Sequence, residues 1–257
     1  MTEQDLIAAL DLPDSCRVGQ RVPKKLLIEN GAPNASDKRQ INDGIEDIVW
    51  LAALKPNTIG VAEYRDEVRE YLEISVLSVA LKFNADVPAK PARLAELVHR
   101  AIPYPTILLL KSQQGLMLSV AHKRWALSEA DKVILDGDVV AVTLLDDASS
   151  PAVETEFLQA LALRRQPQAT LHVLYQGWMD SVQALQAAQL TGGFKLPDNP
   201  EQAARRLAAL RKYRELEIKI SKSRLAVGKE RQMSRQVAIN IEIRFLNNEL
   251  LKIISMI

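Results

Sequence analysis

One stretch, Asn199 to Ile257, constrains this chain more than any other. It opens as a helix should, with Asn199 placed to cap, Pro200 at the first helical position and Gln202 at the capping-box position. No proline follows, and Gly228 is its only glycine. Towards the end Ile239, Ile243, Leu246, Leu250, Ile253 and Ile257 step four, three, four, three, four, which is the spacing of a coiled-coil seam. Further back Tyr213, Leu216, Ile220, Val227, Val237 and Ile241 hold a second register. A helix with such a stripe is not stable alone in water and must lay it on something. The six seam residues are therefore the expected interface. The register from Ile220 to Val237 carries across Gly228, so the expectation is one helix on the order of 85 Å long, with a hairpin turn at Gly228 as the alternative.

Other properties of the chain narrow the classes. Hydrophobic residues at 47% and charged residues at 25% of 257 exclude global disorder and allow a real core. The net charge of +1 argues against a bulk electrostatic grip on nucleic acid or membrane. Cys16 is the only cysteine, so no intramolecular disulfide can form and a thiolate zinc site lacks ligands. Met1 to Leu12 is acidic and short of apolar length, unlike a secretion signal. No segment approaches the ~18 uninterrupted apolar residues of a membrane helix. These features predict a cytoplasmic protein without a membrane partner.

Taken in order, Thr2 to Leu10 reads as a short helix closed by Pro13. Val22-Pro23-Lys24-Lys25-Leu26 reads as a basic turn running into an extended piece, and Glu29 to Asn34 as a connector. Ser36 is the expected cap of a helix that runs into a buried strand ending at Leu54. Thr58 to Ala62 and Tyr71 to Leu81 are expected strands. Pro88 and Pro91 introduce a helix bearing Leu94, Leu97, Val98 and Ala101. Thr106 to Leu110 and Leu116 to Ala121 form a hairpin. A short capped piece begins at Ser128, and Val139 to Leu145 is the last strand. Ser149-Ser150-Pro151 marks the change to helix alone, over about 151–163, 169–190 and 200–257. The fold class is α+β: a mixed β-sheet domain with flanking helices over 1–149, then an all-helical region over 150–257.

Several short motifs fall in one order: Val22-Pro23-Lys24-Lys25, Ile48-Val49-Trp50, Tyr71-Leu72-Glu73-Ile74, Ala101-Ile102-Pro103-Tyr104-Pro105, Leu174-Tyr175 with Trp178, Lys229-Glu230-Arg231-Gln232, and Asn240 amid aliphatics. In these the chain resembles a bacterial family, domain-of-unknown-function family 4391. Proteins similar to it are often encoded beside helicases and DNA methyltransferases in phage-defence or restriction-type gene clusters. The resemblance implies a defence or DNA-processing context and supplies no catalytic residues.

The usual catalytic signatures are missing. There is no phosphate-binding Gly-Lys-Ser/Thr loop, no His-Glu-x-x-His and no Gly-x-Ser-x-Gly elbow. His99, His122 and His172 are scattered without local metal partners, so neither a metal nor a cofactor is expected. Helix, three strands, helix, strand is the element order of a restriction-endonuclease-like core, in which acids and a lysine at strand ends hold a divalent cation and steady the attacking water. Glu46, Asp66, Glu73 and Lys82 are the candidates for such a nuclease. The acid-any-lysine triplet is broken, because Glu73-Ile74-Ser75 ends in serine. Arg21, Lys24 and Lys25 form one small basic cluster and His122-Lys123-Arg124 beside Trp125 another, each short enough to be a solvated turn. Between Glu201 and Gln236 eleven cationic residues stand against four acids. Arg211, Lys212, Arg214, Lys219, Lys222 and Arg224 are the candidates there for contact with nucleic acid or an acidic partner, or for the wet side of a coiled coil.

The expected function is a non-catalytic accessory or scaffolding subunit, assembling with itself or with a helicase or DNA methyltransferase. A metal-dependent nuclease, with an intact or degenerate core, and a DNA-binding module are the alternatives.

Overall fold

The structure, a computed structural model, describes residues 1–82, 90–113, 115–127, 132–144 and 150–257. Pro88, Ser128, Leu145 and Ser149, read above as element edges, lie outside these residues. The chain forms two compact units, Met1–Val182 and Gln183–Ile257.

The first unit runs α1 (Glu3–Ala9), β1 (Arg17–Arg21), α2 (Lys24–Gly31), α3 (Ala35–Gly44), β2 (Ile45–Leu54), α4 (Pro56–Ile59), β3 (Tyr64–Arg65), β4 (Glu70–Tyr71) and β5 (Ile74–Leu81). It continues with α5 (Pro91–Ala101), β6 (Thr106–Ser112), β7 (Gly115–Val120), β8 (Lys123–Trp125), β9 (Val133–Leu135), β10 (Val140–Leu144) and α6 (Pro151–Leu161). Helix α7 (Leu171–Thr191) starts in this unit and ends in the second, which holds α8 (Pro200–Lys229) and α9 (Met233–Ile254).

Six strands form one mixed sheet in the order β1-β2-β5-β6-β7-β10. β5 and β6 are parallel with α5 between them in sequence, and the other neighbours are antiparallel. Both faces are covered, which is why β6 is an unbroken apolar run. Side chains alternate across a strand. Leu108 and Leu110 join Leu27, Ile41, Leu94, Leu97 and Val98 from α2, α3 and α5. Ile107 and Leu109 meet Leu6 and Leu10 at the α1 end and Leu161 and Trp178 of α6 and α7. The mixed α/β class is as expected, but the three antiparallel strands before α5 are β1, β2 and β5, so Arg17–Arg21 takes the place in the sheet that was expected of Thr58–Ala62.

Local readings differ in four places. The piece after Pro23 is helix α2, not extended, because Pro23 has a fixed φ of −64° just before the first turn and Leu27 is buried. Asn34, not Ser36, caps α3, accepting the Asp37 N–H at 2.9 Å. Thr58 lies in the single turn α4, where its hydroxyl oxygen accepts the Lys55 N–H at 2.9 Å and Gly60 ends the turn at φ +71°. Most conspicuously, the last helix is two.

α8 ends at Lys229 and α9 begins at Met233. The turn is built on Glu230, whose carboxylate accepts the N–H groups of Arg231 at 2.8 Å and Gln232 at 2.9 Å. The Gln236 amide donates to the Glu230 carbonyl at 2.7 Å. Gly228 sits inside α8, with open space where a Cβ would stand. The division between units also falls later than Ser150. α6 and the first part of α7 carry Leu161 and Trp178 onto the sheet, so they belong with it.

Two stability measurements check these assignments. Gly228→Ala should raise stability by about 0.5–1 kcal/mol in urea unfolding, because it removes a helix-interior glycine without a clash; a loss would contradict a helical Gly228. The buried Tyr175 hydroxyl bonds the Ala121 N–H and the Thr106 carbonyl, so Tyr175→Phe should cost about 1–3 kcal/mol by stranding these backbone groups; a neutral result would contradict that bonding.

Candidate functional site

At one end of the sheet, segments far apart in sequence bring together side chains that no local pattern joined. Tyr71 leaves β4, His122 follows β7, and His172, Tyr175 and Gln176 come from the start of α7. The rings of Tyr64, His172 and His122 form a column, with centroids 4.7 Å and 5.1 Å apart and near-parallel planes. The hydrogen bonds fix its protons. The Gln176 amide donates to Asp180 at 2.8 Å, so its oxygen faces His122 Nε2, also at 2.8 Å. Nε2 therefore carries the hydrogen, Nδ1 accepts, and the Tyr71 hydroxyl donates to it.

Burial pushes the His122 imidazole down to about 4, and His172 is shifted the same way by burial and then by Arg69. Burial raises the buried Tyr71 phenol. Beside the column Arg69 makes a fork to Asp136, at 2.8 Å and 2.7 Å. Asp66 accepts from the Tyr64 hydroxyl at 2.7 Å and from the Val68 and Arg69 N–H groups at 2.8 Å and 2.6 Å. Those bonds, Tyr64's first, hold its carboxyl below the ordinary range.

The neighbouring groups are bonded in the same way. The Tyr175 hydroxyl receives the Ala121 N–H at 2.8 Å and donates to the Thr106 carbonyl at 2.7 Å, pinning α7 to the start of β6 and the end of β7. The Trp178 indole donates to the Leu161 carbonyl at 2.8 Å. Lys123, 2% exposed, donates to the carbonyls of His99 and Ile102. These close the carboxy-terminal end of α5, where a cation is favoured, while burial lowers the ammonium to about 7. The sequence motifs at Tyr71, Ala101–Pro105 and Tyr175–Trp178 are thus the joints of the fold. The Tyr175 hydroxyl, the Trp178 indole and the Lys123 ammonium are each spent on backbone carbonyls, so these groups position backbone.

The nuclease candidates fall in three places. Glu46, at the start of β2, is exposed, and Lys82, just past β5, donates to the Asn42 carbonyl at 3.0 Å. Glu73 lies at the opposite end of β5, buried against the Lys55 ammonium at 3.1 Å and Ser75 at 3.4 Å. Nine residues of extended chain put Glu73 and Lys82 roughly 30 Å apart. Asp66 serves its own turn. Among the described residues no group of three or more His, Cys, Asp or Glu is placed to hold a metal ion.

In the second unit the expected seam is covered by the chain itself. Ile243, Leu250 and Ile253 pack against Leu216 and Ile220 of α8 and Leu246 of α9, while Ile239 and Ile257 are half-buried. Of the six α8 cations, Arg211, Lys212, Lys219, Lys222 and Arg224 are exposed, and Arg214 donates to Gln186 at 2.8 Å. The second register does not stay together: Leu216 and Ile220 are buried, while Val237 and Ile241 belong to an exposed stripe. Met233, Val237, Ile241 and Phe245, spaced by four along α9, are 76, 55, 65 and 62% exposed. Val237 and Ile241 stand two residues from seam positions, and two residues are roughly half a helical turn. They therefore lie on the side of α9 away from α8.

The family model described as Domain of unknown function (DUF4391) matches residues 10–250. No curated protein and no solved structure matches the chain. No helix among the described residues is long and apolar enough to cross a membrane. The chain belongs to the DUF4391 family.

The lowered imidazoles set a pH test. A histidine that stays neutral when folded but protonates when unfolded, near 6.5, stabilises fully above that value and loses the contribution as pH falls towards the folded value. Urea midpoints should therefore fall between pH 6.5 and about 4, and His122→Gln should flatten part of that slope. An unchanged slope in the variant would contradict a buried neutral His122.

Proposed function

We propose that this member of the DUF4391 family is a non-catalytic accessory or scaffolding subunit of a bacterial DNA-processing or phage-defence system, assembling through its carboxy-terminal helices. The observation that carries the reading is that α9 is apolar on two sides. One side is laid on α8, and the other presents Met233, Val237, Ile241 and Phe245 to solvent. Contiguous apolar stripes of this kind mark contact surfaces. The partners that suit it are a second copy, or a helicase or DNA methyltransferase in the gene-cluster context that the resemblance implies. The distance between Glu73 and Lys82 weighs against the nuclease alternative. The exposed cations of α8 favour DNA contact as a second reading, in which charge reversal at Arg211, Lys212 and Lys219 weakens binding and flattens its salt dependence.

Light scattering of the full-length chain tests the main reading. The native protein should run above its 28.6 kDa chain mass in a concentration-dependent way, and Ile241→Glu with Phe245→Glu should return it to a monomer with unchanged helix content. A native chain that is monomeric at every concentration would contradict self-assembly. Divalent-metal-dependent plasmid cleavage abolished by Glu73→Ala would overturn the non-catalytic part.

A further inference from the structure

A cavity of about 240 Å³ lies in the sheet unit between β4, the turn that follows α5, and the hairpin of β8 and β9. Leu72, Pro103 and Val133 give it apolar lining, and Tyr104 and Trp125 bring two half-buried rings to it. The fold fixes its frame. Lys123 and Trp125, two residues apart on β8, share one face of the strand. The Lys123 ammonium donates to the Ile102 carbonyl at 3.0 Å, and the Trp125 backbone N–H donates to the Val68 carbonyl at 2.8 Å. The segment bearing Trp125 is thereby tied both to the turn bearing Tyr104 and to the approach to β4.

The polar ends of the two rings are uncommitted. The chain has five tyrosines and three tryptophans. The hydroxyls of Tyr64, Tyr71, Tyr175 and Tyr213 and the indoles of Trp50 and Trp178 are all hydrogen-bonded within the protein. The Tyr104 hydroxyl and the Trp125 indole N–H have no partner among the described residues, and it is these two residues that meet at the cavity. Such tips ordinarily find a partner once they leave bulk water. The charged groups around them are already paired: Glu70 with Arg65 at 3.1 Å, Arg124 with Asp136 at 3.7 Å, and Lys123 with its carbonyls. What is left to a ligand is two aromatic rings and two neutral donors.

We propose that this cavity takes a nucleobase, an uncharged flat ring that stacks on an aromatic face while its ring nitrogens or carbonyl oxygens accept from Tyr104 and Trp125. The proposal does not depend on assembly through the carboxy-terminal helices. Pockets for drug-sized molecules run to about 300–1,000 Å³, so the space suits one base without its sugar and phosphate. A phenylalanine or leucine side chain from a protein would fill the same space and leave both donors unmet.

Titration of the full-length chain with adenosine, guanosine, cytidine and thymidine, and with short single-stranded oligonucleotides, tests this by tryptophan fluorescence and calorimetry. At least one nucleoside should bind saturably and quench the emission, with or without a 5′-phosphate and with little change between about 50 and 500 mM salt, unlike binding through phosphates. Tyr104→Ala and Trp125→Ala should each weaken it at least fivefold. Tyr104→Phe should weaken it less and leave the urea midpoint unchanged, because the hydroxyl bonds nothing in the protein. Tighter binding of a strand than of its nucleoside through the same two residues would assign the base to single-stranded nucleic acid, and equal binding to a free nucleoside or nucleotide. No binding by any nucleoside or strand, or binding that survives both alanine variants, would overturn the proposal. So would binding of N-acetylphenylalaninamide alone, which would make the cavity a seat for a protein side chain.

Discussion

An amphipathic helix can hide its apolar stripe on one neighbour, but a helix that is apolar on two sides needs two. α9 is such a helix. Leu246 and its neighbours Ile243, Leu250 and Ile253 rest on Leu216 and Ile220, and that contact makes a hairpin of the chain's end. The cluster has three buried residues at its heart, a small core for helices of 30 and 22 residues. Helices within proteins draw most of their stability from tertiary packing. A hairpin so thinly packed, with Val237, Ile241 and Phe245 left outside, gains most from a further helix layer.

The sheet unit solves a different problem. Polar groups at one end of its sheet form a relay: Asp180 orients Gln176, Gln176 sets the His122 tautomer, and His122 takes the Tyr71 hydroxyl. Tyr175 and Lys123 do the same for backbone carbonyls at the ends of β6, β7 and α5. Networks that are fully satisfied rigidify a core and specify one packing.

Much of this was legible in the sequence, and what was missed had physical causes. The sheet strands at Ile48–Leu54, Thr106–Leu110 and Leu116–Ala121 declared themselves by apolar runs, and the seam declared itself by its steps of three and four. That Leu216 and Ile220 would cover the seam did not, because the turn at Glu230-Arg231-Gln232 contains neither glycine nor proline and is closed by a carboxylate. Gly228 drew attention as the breaker and proved an ordinary helical residue. His122 and His172 are fifty positions apart, so their stacking belongs to tertiary structure alone. Lys123 looked like part of a solvated basic turn, and only the carboxy-terminal end of α5 explains its burial.

The central claim is that the outer side of α9 is a contact surface, and amide hydrogen exchange across a range of protein concentrations tests it most directly. Covering the stripe should slow exchange over 233–245 as concentration rises, while α5 and β6 in the sheet unit stay constant. Exchange over 233–245 that is fast and indifferent to concentration, with no partner added, would contradict it.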